Sequence, residues 1–280
     1  MRVFGMSKAG QFTGVVMGAI IGLSGYAMAA SDSATPTHST AWKADGKEYI
    51  VAMDQTTGQA VEDVVDPDRA ARDPVVYLLA LDTIRAYFWA GLTAYQNNEL
   101  DTAGEMFKAP MENVYVNLEP YLDQQGAPAF KDALSEASDV VFMEKSQSDM
   151  QAAIDSIFSA LTDAESITPK SEDSSEDNQA DVLADLLVRA ATQYDAAFGS
   201  DGTDRTWLNG YGFYKAAQYR ASVALPLLSQ QNAEVHSAFL KAMELLDQAY
   251  KSTARPVIAP IRESSVVDSA QKAADLLGGQ

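Results

Sequence analysis

The stretch DPVVYLLALDTIRAYFWAGLTAYQNN, residues 73–98, sets the architecture of this chain. Asp73 and Pro74 form an N-cap and first-turn pair: the carboxylate can accept from free backbone N–H groups, and proline needs no donor there. Tyr77, Ala80, Leu81, Ile84, Phe88, Gly91, Leu92 and Tyr95 then recur at spacings of three and four. The opposite face carries Val76, Leu79, Tyr87 and Ala90, so the predicted helix is apolar nearly all round and belongs at the centre of a bundle. Asn97 and Asn98 end it. Asp82 and Arg85 are its only interior charges, and three residues apart they can pair.

The same period recurs on both sides of this helix. A short helix is expected over about 100–108, and Pro110 starts another that runs to Leu118. Pro120 and Gly126 mark a break. Ala127-Pro128 opens a helix bearing Phe130, Ala133, Leu134, Ala137 and Val141, and the next carries Ile154, Ile157, Phe158 and Leu161. Residues 166–178 lose the period and gain serine and acid, which reads as an acidic linker. Leu183, Leu186, Leu187, Ala190, Tyr194, Ala197 and Phe198 resume it. After the turn at 199–203, the aromatic segment Trp207–Tyr219 enters a helix that Pro226 kinks or ends. Val235 to Ala249 make another stripe, and a weak helix over about 265–277 follows Pro256 and Pro260. The expected fold is mainly α, a bundle of roughly seven to nine helices.

Upstream the pattern changes. Lys47–Met53 and Gln59–Val65 flank a Gly58-containing turn and read as a small β-hairpin. Residues 30–46 are small and polar, a tether. Residues 1–29 read as a signal peptide: Arg2 and Lys8, then an apolar run from Val15 to Leu23, then Ala27-Met28-Ala29 before Ala30. The expected layout is thus 1–29 leader, 30–46 tether, 47–165 hairpin and first helical half, 166–178 linker, 179–280 second half. The leader implies a periplasmic product of about 250 residues, cleaved near Ala30 and not spanning the membrane.

Composition narrows the chemistry. With no cysteine, there is no disulfide, thiol nucleophile or thiolate metal site. His38 and His236 are the only histidines, and neither has a carboxylate at zinc-motif spacing. The net charge of −19, more negative once Arg2 and Lys8 leave, repels nucleic acid and favours cations or basic partner surfaces. A metal cation held by carboxylates remains open. Glu112 and Glu119 share a face if their helix is continuous, and Asp82 or Glu105 can join them; oxygen-only sets suit calcium, magnesium or ferric iron. Arg85, Trp207, Tyr211 and Tyr214 are candidate pocket residues. They combine a buried charge with an aromatic cluster through which Gly210 and Gly212 permit close backbone approach.

Gly91, Tyr95, Ala103 and Phe107 match part of a tetratricopeptide repeat, but no second copy follows, and solenoids need several. Two segments resemble a known group. They are Gly91–Tyr95 with Asn98–Ala103, Phe107, Pro110, Glu112, Tyr115, Leu118–Pro120 and Gly126-Ala127, and Leu187–Ala191 with Tyr194, Asp201-Gly202 and Tyr211–Phe213. Together they resemble the exported helical proteins that accompany iron permeases and the imelysin-like periplasmic proteins. The His-x-x-Glu motif of the imelysin-like pattern is missing, and Ala109 stands where relatives of the first segment place a histidine. The resemblance implies a non-enzymatic binding or accessory role in an envelope system, with a membrane or envelope protein as partner and metal uptake as its theme. A carboxylate-based metal-dependent hydrolase and a structural interaction module are the alternatives.

Overall fold

The computed structural model describes residues 65–277, apart from 128, 129 and 144 and the side chains of Gln230 and Gln231. The leader, the tether and all but the last residue of the hairpin segment lie outside these. Among the described residues there are nine helices, counting the continuous rod over 100–125 as one, and no strand.

A one-turn α1 (Pro67–Ala70) leads into α2 (Pro74–Gln96), where Asp73 Oδ1 accepts from the N–H groups of Val75 at 3.0 Å and Val76 at 3.4 Å. Asn98 ends α2 in the left-handed region at φ 64°. α3 (Leu100–Pro110), a π turn (Met111–Tyr115) and α4 (Val116–Gln125) form one unbroken helical rod, capped by Gly126 at φ 68°. This corrects the expected breaks at Pro110 and Pro120. A proline strips the carbonyl four residues back of its donor. For Pro120 that carbonyl belongs to exposed Val116, so water can replace the bond. For Pro110 it belongs to buried Met106, and there the helix widens into the π turn.

α5 (Lys131–Phe142) and α6 (Gln147–Glu165) follow, the latter opened by a Ser146–Asp149 capping box. α7 (Ser175–Phe198) starts inside the expected linker because Ser174 caps it, which shortens the irregular stretch. α8 (Asp204–Gln231) runs through Pro226; the carbonyl it orphans is that of exposed Ser222. α9 (Ala233–Ala249) and α10 (Glu263–Asp275) complete the chain. α10 buries Val266, Ala270, Ala273 and Ala274 against α7 and α9, so it is a packed element rather than a frayed one.

Two apolar cores meet along α2. One is built by α7–α10, with Val75, Leu78 and Ala86 of α2; the other is built by α1 and α3–α6, with Tyr77, Leu81, Ile84 and Phe88 of α2. This double role explains why α2 is apolar all round. It also packs directly on α6, α7 and α8, so helices from both sides of the 166–178 stretch share one compact unit. Two glycines set the closeness. A Cβ on Gly91 would fall 2.4 Å from the Phe107 ring, and one on Gly212 would fall 2.2 Å from the Ala86 carbonyl oxygen, so α3 and α8 can each press on α2.

By length and composition α2 is also long and apolar enough to cross a bilayer. Here 83% of its apolar window is buried inside the fold.

Candidate functional site

Between the two cores lies a closed set of charges. Asp82 is fully buried on α2 and holds two guanidinium groups: Arg85 Nε at 3.2 Å and Arg220 Nε at 2.7 Å. Glu165, the last residue of α6, accepts from Arg85 Nη2 at 3.0 Å, Arg220 Nη2 at 3.3 Å and the Tyr219 hydroxyl at 2.9 Å. Arg220 Nη1 donates to Gln179 Oε1 of α7 at 2.6 Å. Two acids thus face two arginines, and the tetrad is neutral. Desolvation by itself would lower the Arg220 pKa, but Asp82 and Glu165 more than reverse this and raise it, so its charge is secure. Four helices are tied at one point, which fixes their register as well as their contact.

Above this tetrad opens a cleft of about 570 Å³, within the size range of small-molecule sites. α2 contributes Arg85 and Trp89; α6 contributes Phe158, Ser159, Thr162 and Asp163; α8 contributes Lys215, Gln218 and Tyr219. The Arg85 guanidinium stacks 3.8 Å from the Tyr219 ring centre and 5.6 Å from that of Phe158. Trp89 and Phe158 pack at 5.2 Å and form an apolar wall. The Lys215 ammonium sits 5.1 Å from the Trp89 ring centre and donates to Gln218 Oε1 at 2.6 Å. Behind the wall, Tyr214 donates to Asp247 at 2.5 Å and accepts from Gln218 Nε2 at 2.6 Å, which turns the Gln218 carbonyl toward Lys215. Burial pushes the Lys215 ammonium down from the usual lysine range, while Asp247 acts weakly the other way. Burial raises the Tyr219 hydroxyl and, with help from Asp247, that of Tyr214.

Of the four pocket candidates, Arg85 alone lines this cleft. Tyr214 stands behind it through Gln218. Trp207 is buried in the core built by α7–α10, its ring tilted against Tyr250 at 4.8 Å and its indole N–H donated to the Thr253 carbonyl, and Tyr211 packs on Tyr214 and Tyr250. The carboxylate candidates are dispersed. Glu112 pairs with Lys108 at 3.1 Å, Glu119 with Lys131 at 3.2 Å, Glu105 with Arg205, and Asp82 with its arginines. Among the described residues, no group of three or more histidines and acids is placed to hold a metal ion.

Glu165, Gln179 and Arg220 escaped the sequence reading. One signal was present: Arg220 is the only charge between Ala216 and Leu228, a mostly apolar helical run. A second buried pair, Asp185 with Arg189, lies within α7, and Arg189 sits 5.7 Å from the Phe213 ring centre.

No protein-family model matches the chain, and no curated protein or solved structure is significantly similar to it. The resemblance to iron-permease-associated and imelysin-like proteins therefore rests on the quoted residues alone.

Proposed function

We propose that this chain is an exported, non-enzymatic helical binding protein, an accessory component of an envelope system, whose ligand occupies the α2–α6–α8 cleft. The observation that carries this reading is the cleft itself: three aromatic side chains and several polar ones converge from three helices over a neutral floor of paired charges. A binding site gains from such pre-organisation because little order has to be imposed when the ligand arrives. Catalysis finds less support: the Thr162 hydroxyl in the cleft donates to the Phe158 carbonyl at 2.8 Å rather than to a base. Export rests on the leader pattern at 1–29, and the small hairpin over 47–65 belongs to the same proposal. The acidic surface suits a basic patch on an envelope partner.

The test is a screen of small metabolite-like molecules by thermal shift against wild type and Ser159→Trp. Ser159 is exposed at the mouth of the cleft, outside the ionic tetrad. Molecules that stabilise wild type but not the plugged variant support the reading. Molecules that stabilise both equally place binding elsewhere and overturn it.

A further inference from the structure

The charges around the cleft narrow what it can hold. Arg85 is matched by Asp82 and Glu165, but its Nη1 has only a 3.5 Å contact to the Phe158 carbonyl, so it keeps donor capacity. Lys215 is different. Its ammonium forms no ion pair within 4 Å among the described residues, and its one direct hydrogen bond goes to a neutral amide. A partly buried cation in that position has the Trp89 ring face and the field of Asp247 but no direct anionic partner, and an incoming carboxylate supplies one. Its lowered pKa agrees with this geometry. Asp163, the one acid lining the cleft, is exposed at its edge.

We infer, building on the proposal that the cleft is a binding site, that its ligand is a small aromatic monocarboxylate. The carboxylate sits between Lys215 and Arg85, and the ring lies against Trp89 and Phe158. Organic cations are disfavoured by the same two side chains. Polyanions are disfavoured by the −19 charge of the whole chain, which acts at longer range than the local pair. The aromatic walls reject small inorganic anions, which gain nothing from them.

The experiment is calorimetric titration of the mature chain with three probes of nearly one shape: phenylacetate, phenylacetamide and phenethylammonium. Indole-3-acetate and its amide serve as a larger pair. Phenylacetate or indole-3-acetate should bind about tenfold or more tightly than its amide, the usual return of one charge-assisted hydrogen bond. Phenethylammonium should not bind. Lys215→Met should erase the preference of acid over amide while leaving amide affinity within about twofold, and Lys215→Arg should restore it. Both variants should melt cooperatively, as the ionic tetrad is untouched. Equal affinity for acid and amide, or a preference that survives Lys215→Met, overturns the carboxylate assignment while leaving the cleft as a binding site. Failure of all five probes overturns the aromatic class; the cleft reading itself fails only if screening hits are indifferent to Ser159→Trp.

Discussion

Arg220→Leu should be far more damaging than an ordinary substitution in an apolar core. Arg220 is fully buried, and its guanidinium serves Asp82, Glu165 and Gln179. Removing it leaves two carboxylates facing the single cation Arg85, a net negative charge where Asp82 has no exposed surface at all. Breaking a buried ion pair from one side costs about 3–5 kcal/mol. For a domain of this size, each kcal/mol lowers the melting temperature by about 2–4 °C, so the loss is about 6–20 °C. The double variant Asp82→Leu/Arg220→Leu tests the electrostatic logic. It removes one charge of each sign and leaves Arg85 paired with Glu165, so it should be more stable than Arg220→Leu despite carrying an extra mutation. Urea unfolding followed by far-UV circular dichroism measures both, with an unchanged m-value confirming that the same surface unfolds. An Arg220→Leu protein within about 1 kcal/mol of wild type, or a double variant no better than the single one, would refute the reasoning.

Gly212→Ala should cost about 1–3 kcal/mol by overpacking, because the added methyl meets a backbone carbonyl of α2 rather than a yielding side chain; a neutral result in the same urea assay would mean that α8 can shift off α2. Eight tyrosines, including Tyr77, Tyr194, Tyr214 and Tyr250, have pKa values raised mainly by burial. Their folded values lie above the unfolded one near 10, so this part of the stability is complete below about pH 10 and is lost as pH climbs toward the folded values. Absorbance at 295 nm should therefore show a delayed, cooperative tyrosinate rise coincident with unfolding, and a smooth independent titration near pH 10 would contradict it. Mass spectrometry of the exported protein should find Ala30 or a close neighbour at the N-terminus, whereas a cytoplasmic product beginning at Met1 would remove the export proposal.

The local features of the fold were legible because they depend on short-range rules. The Asp73–Pro74 start of α2, its Asn97–Asn98 end and the Asp82–Arg85 pair each follow from residues within one helical turn. Pro110 and Pro120 do not end their helices, and Pro226 does not end α8, because what decides a proline's effect is the solvent exposure of the carbonyl four residues earlier, a tertiary property. The site was legible only in fragments. Arg85 stood out as a charge in an apolar helix, but Arg220 lies 138 positions from its partner Asp82, and no spacing rule links them. The aromatic cluster drew attention to Trp207 and Tyr211, which fill a core. Trp89 and Lys215, spread over two helices, were passed over because each looks ordinary until the crossing of α2 and α8 brings them together.

Trp89 offers the most direct reading of whether this cleft takes a ligand. With 15N-labelled tryptophan, the indole N–H signals of Trp89 and Trp207 can be assigned by Trp→Phe variants and followed while the phenyl and indolyl probes are added to the mature protein. Trp89 lines the cleft, and Trp207 is buried in the other core with its N–H already bonded. The expected result is a saturable shift of the Trp89 signal with at least one probe while Trp207 stays in place. A Trp89 signal unmoved by every probe, or a shift of Trp207 in step with it, would contradict the account.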